Sequence, residues 1–174
     1  KVEELSKGMA QKVQLITTIL HNPKLLIFDE PFSGFDPVNA DLLKREILEL
    51  RDKGATIIFS THNMSTVEDL CENISLVDKS KIVLQGNVAQ IRASHATNTY
   101  MLQSTKNIDP LGFELVETVQ KNGIFESRIK KNASDSNNAL LEKLMSQTDI
   151  LSFQEILPSM NDIFIQTVST PQQL

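Results

Sequence analysis

The 174-residue chain has one cysteine, no tryptophan and one tyrosine. A single thiol, Cys71, forms neither an internal disulfide nor a thiolate metal cluster; it is expected as a small buried hydrophobe on a helix in a reducing compartment. Long apolar runs are also missing. The densest, Leu25 to Phe28, is strand-sized and far short of the roughly 18 residues that span a bilayer, so no direct membrane insertion is expected. Positive charge is not in excess: 17 Lys and Arg against 22 Asp and Glu leave a net charge of −5. That argues against general nucleic-acid binding, which needs a Lys/Arg surface to neutralise phosphates. None of the six glycines opens a G-x-x-x-x-G-K-[ST] sequence, whose backbone cradles nucleotide phosphates. The chain opens at Lys1 with neither an initiating Met nor a basic-then-apolar leader, so a longer protein is expected to continue upstream.

What is present is a 40% hydrophobic content in alternating periods. Val13, Ile16, Ile19 and Leu20 recur at helical spacing after Ser6, a ready N-cap, and His21-Asn22-Pro23 ends that helix. Leu25-Leu26-Ile27-Phe28 then runs into Asp29-Glu30-Pro31, as a buried parallel strand does at its carboxyl end. A second helix with Leu42, Leu43, Ile47, Leu48 and Leu50 on its apolar face closes at Gly54. Ala55 to Ser60 predicts another buried strand, followed by Thr61-His62-Asn63 and a short helix through Val67 and Leu70. Ile74 to Val77 and Ile82 to Leu84 form a hairpin, and Val88 to Arg92 a short helix. This repetition implies an α/β fold with a parallel, helix-covered sheet over residues 1–93. The polar stretch 94–99 is expected as a linker. Residues 100–174 then read as a small α+β accessory domain, with strands at 100–103, 113–119, 124–129 and 150–155, a helix at 139–145 and a closing helix after Pro158.

The chemistry-bearing residues fall at the ends of these elements. In an open α/β sheet, ligands sit outside the carboxyl ends of the strands. Asp29 is suited to holding Mg²⁺ through water, and Glu30 to orienting and deprotonating an attacking water. His62 follows the ATIIFST strand and emerges at the same edge if the two strands are neighbours; its imidazole can donate to a phosphate where charge develops. Ser6-Lys7-Gly8-Met9 opens a helix, where unpaired N–H groups attract anions. Each feature also has a plain structural reading. Strand ends often carry acids, His62 could cap a helix, Ser6 could be a simple N-cap, and Ser33-Gly34-Phe35-Asp36 could be a turn with Asp36 capping the next helix. His21 and His95 carry only structural readings.

Order and spacing change those odds. LSKGMAQK, LLIFDEP, SGFDP and STHN, in that order, resemble the closing half of ABC transporter ATP-binding subunits, which have a P-loop NTPase fold. The resemblance covers residues 1 to about 93 and implies a signature loop at Leu5 to Met9, a Walker B strand at Leu25 to Glu30 with Glu30 catalytic, a D-loop at Ser33 to Asp36 and a switch histidine at His62. It also implies ATP and Mg²⁺ as cofactors, with Ser6, Lys7, Gly8, Met9 and Asp36 facing nucleotide held by a second nucleotide-binding subunit in a homodimer. A transmembrane permease is the implied partner, which puts the protein in the cytoplasm, peripheral on the inner face of the membrane. Where the usual signature reads Leu-Ser-Gly-Gly-Gln, this chain has Lys7 and Met9, so a glutamine contact is lost and a positive charge gained. Leu157 to Ile165 resembles the C-terminal extension of ABC-2 type exporter subunits.

Two other functions compete. A soluble ABC-type ATPase acting on ribosomes or DNA would carry two ATPase units or a long coiled-coil insertion, and neither is present. A regulatory or dimerisation module has no need of acids and a histidine at strand ends. Without the phosphate-loop sequence, this chain alone is expected not to turn over ATP. Half a sheet would also leave an apolar face uncovered, with self-association or a partly disordered start as the expected result.

Overall fold

The computed structural model describes residues 4–169, apart from the Lys7 side chain; an ordered or disordered start therefore lies outside the described residues. By packing, the chain divides into two compact units between Cys71 and Glu72.

In the first unit, helix α1 spans Lys7–Ile19. Ser6 sits in an extended conformation and its hydroxyl accepts from the Met9 N–H at 3.3 Å, satisfying one donor that the helix cannot. Strand β1 is Leu25–Asp29, helix α2 Pro37–Asp52, strand β2 Thr56–Ser60 and helix α3 Met64–Leu70. Asp36 caps α2 with Pro37 at its first position, where a missing N–H costs nothing. Gly54, at φ 98°, turns the chain out of α2. The two strands pair in parallel, from Leu25↔Thr56 to Asp29↔Ser60.

The strands are parallel as expected, but they are not buried on both faces. Leu26, Leu43, Ile47 and Val67 form the covered side. On the opposite side Leu25, Ile27 and Ile58 are 52%, 71% and 54% exposed. Period-2 alternation gives each strand two faces, and among the described residues only one of them is packed. The stripe on α1 is similarly open: Val13, Ile16 and Leu20 are exposed rather than in a core.

In the second unit, β3 (Asn73–Asp78) and β4 (Lys81–Asn87) form the expected hairpin. Its two-residue turn, Lys79-Ser80, has both residues at positive φ, 47° and 62°, the hand that matches strand twist. Helix α4 (Val88–Ser94) follows, capped by Asn87. Next come β5 (Thr99–Ser104), β6 (Glu114–Lys121), β7 (Ile124–Lys130), helix α5 (Asn137–Met145), β8 (Ile150–Glu155) and helix α6 (Met160–Ser169). Four of these strands make an antiparallel sheet in the order β6-β7-β5-β8. Residues on β5 alternate strictly, so Tyr100, Leu102 and Ser104 point inward. Tyr100 and Leu102 join Ile108, Phe113, Ile129, Leu140 and Leu144 in one core. The Tyr100 ring stacks on Phe153 at 4.8 Å, and its hydroxyl donates to Asn137.

Helix α6 begins with a reciprocal cap: the Asp162 carboxylate accepts from the Ser159 N–H and hydroxyl, and the Asp162 N–H donates to Ser159 Oγ. It packs on α4 and β4, and Arg92 donates to the Pro158 carbonyl at 2.9 Å. These contacts tie the hairpin to the end of the chain, so the packing division falls ahead of the 94–99 stretch. Cys71 is a half-buried residue at the C-cap of α3 rather than within a helix. No helix among the described residues is long and apolar enough to cross a membrane.

Leu144 is fully buried, whereas its neighbour Met145 is 68% exposed. Leu144→Ala should lower the unfolding free energy by about 2–5 kcal/mol, and Met145→Ala should change it by about 0.5 kcal/mol or less. Urea midpoints at constant slope check both.

Candidate functional site

Parallel pairing makes β1 and β2 end together, so the residues beyond them emerge side by side. Past the Asp29↔Ser60 pair, the Glu30 N–H donates to the Ser60 carbonyl at 3.1 Å. Glu30 itself sits at φ 44°, a left-handed conformation uncommon for a residue with a Cβ and frequent at functional sites. Its carboxylate is thereby aimed across the strand ends. Oε1 accepts from the His62 backbone N–H at 2.9 Å and lies 2.6 Å from His62 Nδ1. Oε2 accepts from the Thr61 hydroxyl at 3.2 Å. Beside it the Ser60 hydroxyl donates to Asp29 Oδ1. The strand ends thus carry two linked sets, Glu30 with Thr61 and His62, and Asp29 with Ser60.

The electrostatics follow from that geometry. The His62 imidazole, hydrogen-bonded to the Glu30 carboxylate, pulls its pKa below the ordinary 4.5; burial opposes this, and the His62 N–H and Thr61 hydroxyl reinforce it. Glu30 is therefore held ionised. Its partner remains accessible: the His62 side chain is 86% exposed and that of Glu30 34%.

Turns fix the next stretch. The Ser33 N–H donates back to the Glu30 carbonyl at 3.1 Å, and the Phe32 ring packs edge-on against Phe59, centroids 6.0 Å apart. Asp36 is committed to Asn39, whose N–H and side-chain amide both donate to it and lower its pKa. The hydrogen bonds of Ser6 and Asp36 are local caps, and they do not bring these residues to the Glu30–His62 pair. At the start of α1, Met9 is 53% exposed, and beyond the neighbouring residues and the helix's own backbone no described atom lies within 4 Å of where a Cβ on Gly8 would stand. That helix start is open to a ligand's close approach. The side chain of Lys7 lies outside the described residues.

One connection was not foreseen from the sequence. Gln11, in the second turn of α1, donates from Nε2 to the Ser33 carbonyl at 3.1 Å. The available signal was its place three residues after Gly8, on the same helical face. Ser60 was legible only inside the STHN motif; its role as donor to Asp29 needed the strand register. His95 behaves as its structural reading implies, its ring nitrogen 2.9 Å from the Ile91 carbonyl at the end of α4.

No group of three His, Cys, Asp or Glu among the described residues is placed to hold a metal ion. Asp29 supplies a single carboxylate from the strand edge, Glu30 being engaged by Thr61 and His62. That donor set fits Mg²⁺, which keeps several waters and takes its other ligands from phosphate, and does not fit an all-protein cage.

Comparison with known proteins bears on this arrangement. A family model described as the C-terminal domain of DrrA1-3-like ATP-binding proteins matches residues 86–168. An AAA domain model (AbiEii toxin, type IV toxin–antitoxin system) matches residues 1–68. The ABC transporter ATP-binding protein YhaQ of Bacillus subtilis is 39% identical over 168 residues, which is 97% of this chain and 56% of YhaQ. The fluoroquinolones export ATP-binding protein Rv2688c of Mycobacterium tuberculosis is 35% identical over 55% of this chain and 32% of its own length. A solved ATP-binding subunit of an ABC transporter aligns at 35% identity and a TM-score of 0.50, covering 53% of this chain and 39% of that one. The chain thus spans about half the length of YhaQ.

Glu30 has a pKa depressed in the folded protein. Its contribution to stability is present above the unfolded value and is lost as pH falls through the lower folded value. In a carboxyl-carbon NMR titration, Glu30 should titrate below 4.5, and in His62→Ala its midpoint should rise. An unchanged midpoint in that variant would remove His62 as the cause.

Proposed function

This chain belongs to the ABC transporter ATP-binding proteins, and from that premise we propose that it carries the signature-to-switch part of a subunit that hydrolyses ATP at a dimer interface. The observation that carries this reading is the contact between Glu30 and His62 at the ends of two parallel strands. Glu30 accepts a proton from the attacking water, for which an ionised carboxylate is required. His62 holds that carboxylate in place and donates toward the terminal phosphate as charge develops there. Asp29 would hold Mg²⁺, which would supply charge neutralisation to the phosphates. The open start of α1 at Ser6, Lys7, Gly8 and Met9 receives phosphate oxygens of ATP held by a second subunit. Asp36 closes the D-loop and holds the direction of α2.

Residues 1–93 carry this chemistry and residues 100–174 an accessory domain. Transport, with export as its direction, is carried over from the relatives' names, and a membrane permease as partner and a position on the cytoplasmic face from the resemblance to ABC transporter subunits. A preceding segment supplies the phosphate loop, because no G-x-x-x-x-G-K-[ST] sequence occurs in these 174 residues.

In the full-length protein, Glu30→Gln should lower kcat for ATP hydrolysis by roughly 10²–10⁴-fold, with ATP binding retained. The 174-residue chain alone should show no turnover above buffer. Unchanged turnover in the variant would take the base away from Glu30.

A further inference from the structure

Among the described residues, the Gln11 side chain links the helix start to the strand-end acids. Its Nε2 donates to the Ser33 carbonyl at 3.1 Å across 22 residues of chain. Ser33 in turn donates its N–H to the Glu30 carbonyl at 3.1 Å, and the Glu30 carboxylate holds His62. The path from α1 to Glu30 is therefore two hydrogen bonds long, and the Glu30 carboxylate carries it on to His62. The other end of the Gln11 amide is unusual: Oε1 is buried and finds no donor among the described residues. Unsatisfied buried acceptors are rare in native structures and call for a reason. Turning the amide over would set Oε1 against the Ser33 carbonyl oxygen, so the observed orientation is the one that makes the link. Gln11 lies three residues beyond Gly8, hence above it on one helical face. Anything that moves the helix start also moves the amide that grips the turn after Glu30.

We propose that Gln11 is a positioning residue: by holding the Ser33 carbonyl it couples the start of α1 to the orientation of the Glu30 carboxylate. The inference rests on the reading of Glu30 as the base. Gln11 touches no reacting atom itself, so its loss should lower turnover while leaving nucleotide affinity in place, because small displacements of a reacting group are costly to rate.

The test uses the full-length protein with Gln11→Met, which keeps the length and removes the donor, and Gln11→Lys, which returns a donor at similar reach. Steady-state kcat and KM for ATP, and the Tm, are measured for both beside Glu30→Gln. The expected result is a kcat lowered roughly 10-fold in Gln11→Met with KM within about twofold and Tm nearly unchanged, and recovery in Gln11→Lys to within about threefold of the parent. If Glu30→Gln abolishes turnover while Gln11→Met matches the parent, the coupling is wrong and the base assignment stands. Equal losses in Met and Lys that track a fall in Tm make Gln11 only structural, which also overturns the proposal. Full turnover in Glu30→Gln overturns the underlying reading and this inference with it.

Discussion

The parallel ladder between β1 and β2 is the constraint on which the site depends. Register decides it: with Asp29 opposite Ser60, the next residue on each strand falls where Glu30 can reach Thr61 and His62. A one-residue slip would reverse which side chains face the helices and which face away. It would bury Asp29 or Ser60 in place of Phe28 and Phe59 and separate the acid from the imidazole. The backbone bond from Glu30 to Ser60 extends the ladder one step beyond the last strand residue. The left-handed conformation of Glu30 then swings its side chain across the strand ends instead of along them.

Two kinds of sheet serve different ends in this chain. The first unit has two strands with one packed face, and its apolar side at Leu25, Ile27 and Ile58 is open among the described residues. The second unit has an α+β core of its own. Alternation on β5 and β7 sends Tyr100, Leu102, Ser127 and Ile129 to a single buried layer under α5, and even its buried serines are paired: Ser104 donates to the Lys106 carbonyl, and Ser127 shares a bond with Thr118. Polar groups that far from water are tolerated because each has a partner. The chemistry-bearing strand ends belong to the unit with the more open packing, where residues are accessible to a ligand or another chain.

Local sequence signals located the elements well because they act over a few residues. Ser6, Asp36, Asn63, Asn87 and Ser136 all cap the helices that follow them, and a cap is a contact between near neighbours in the chain. The hairpin at Lys79-Ser80, the closing role of Gly54 and the strand at 150–155 were legible for the same reason. The acids and His62 were legible as a set because their motifs occur in a fixed order. Burial was not: the apolar runs at 25–28 and 55–60 read as fully buried, yet alternate residues on both strands are exposed. An apolar residue declares its preference, while what covers it is decided by other segments.

By itself the sequence determined the alternation of helices and strands, the caps and turns, the acid pair and histidine, and membership of a protein family. Those properties follow from periodicity, backbone preference and residue type, all readable along one dimension. Only the tertiary structure decided that Asp29 and Ser60 are register partners, that His62 engages the Glu30 carboxylate, that Gln11 grips the turn at Ser33, and that the hairpin packs with the closing helix. Each of these joins residues between 22 and 80 or more positions apart, at distances set by strand pairing and helix packing, and no local preference encodes such a distance.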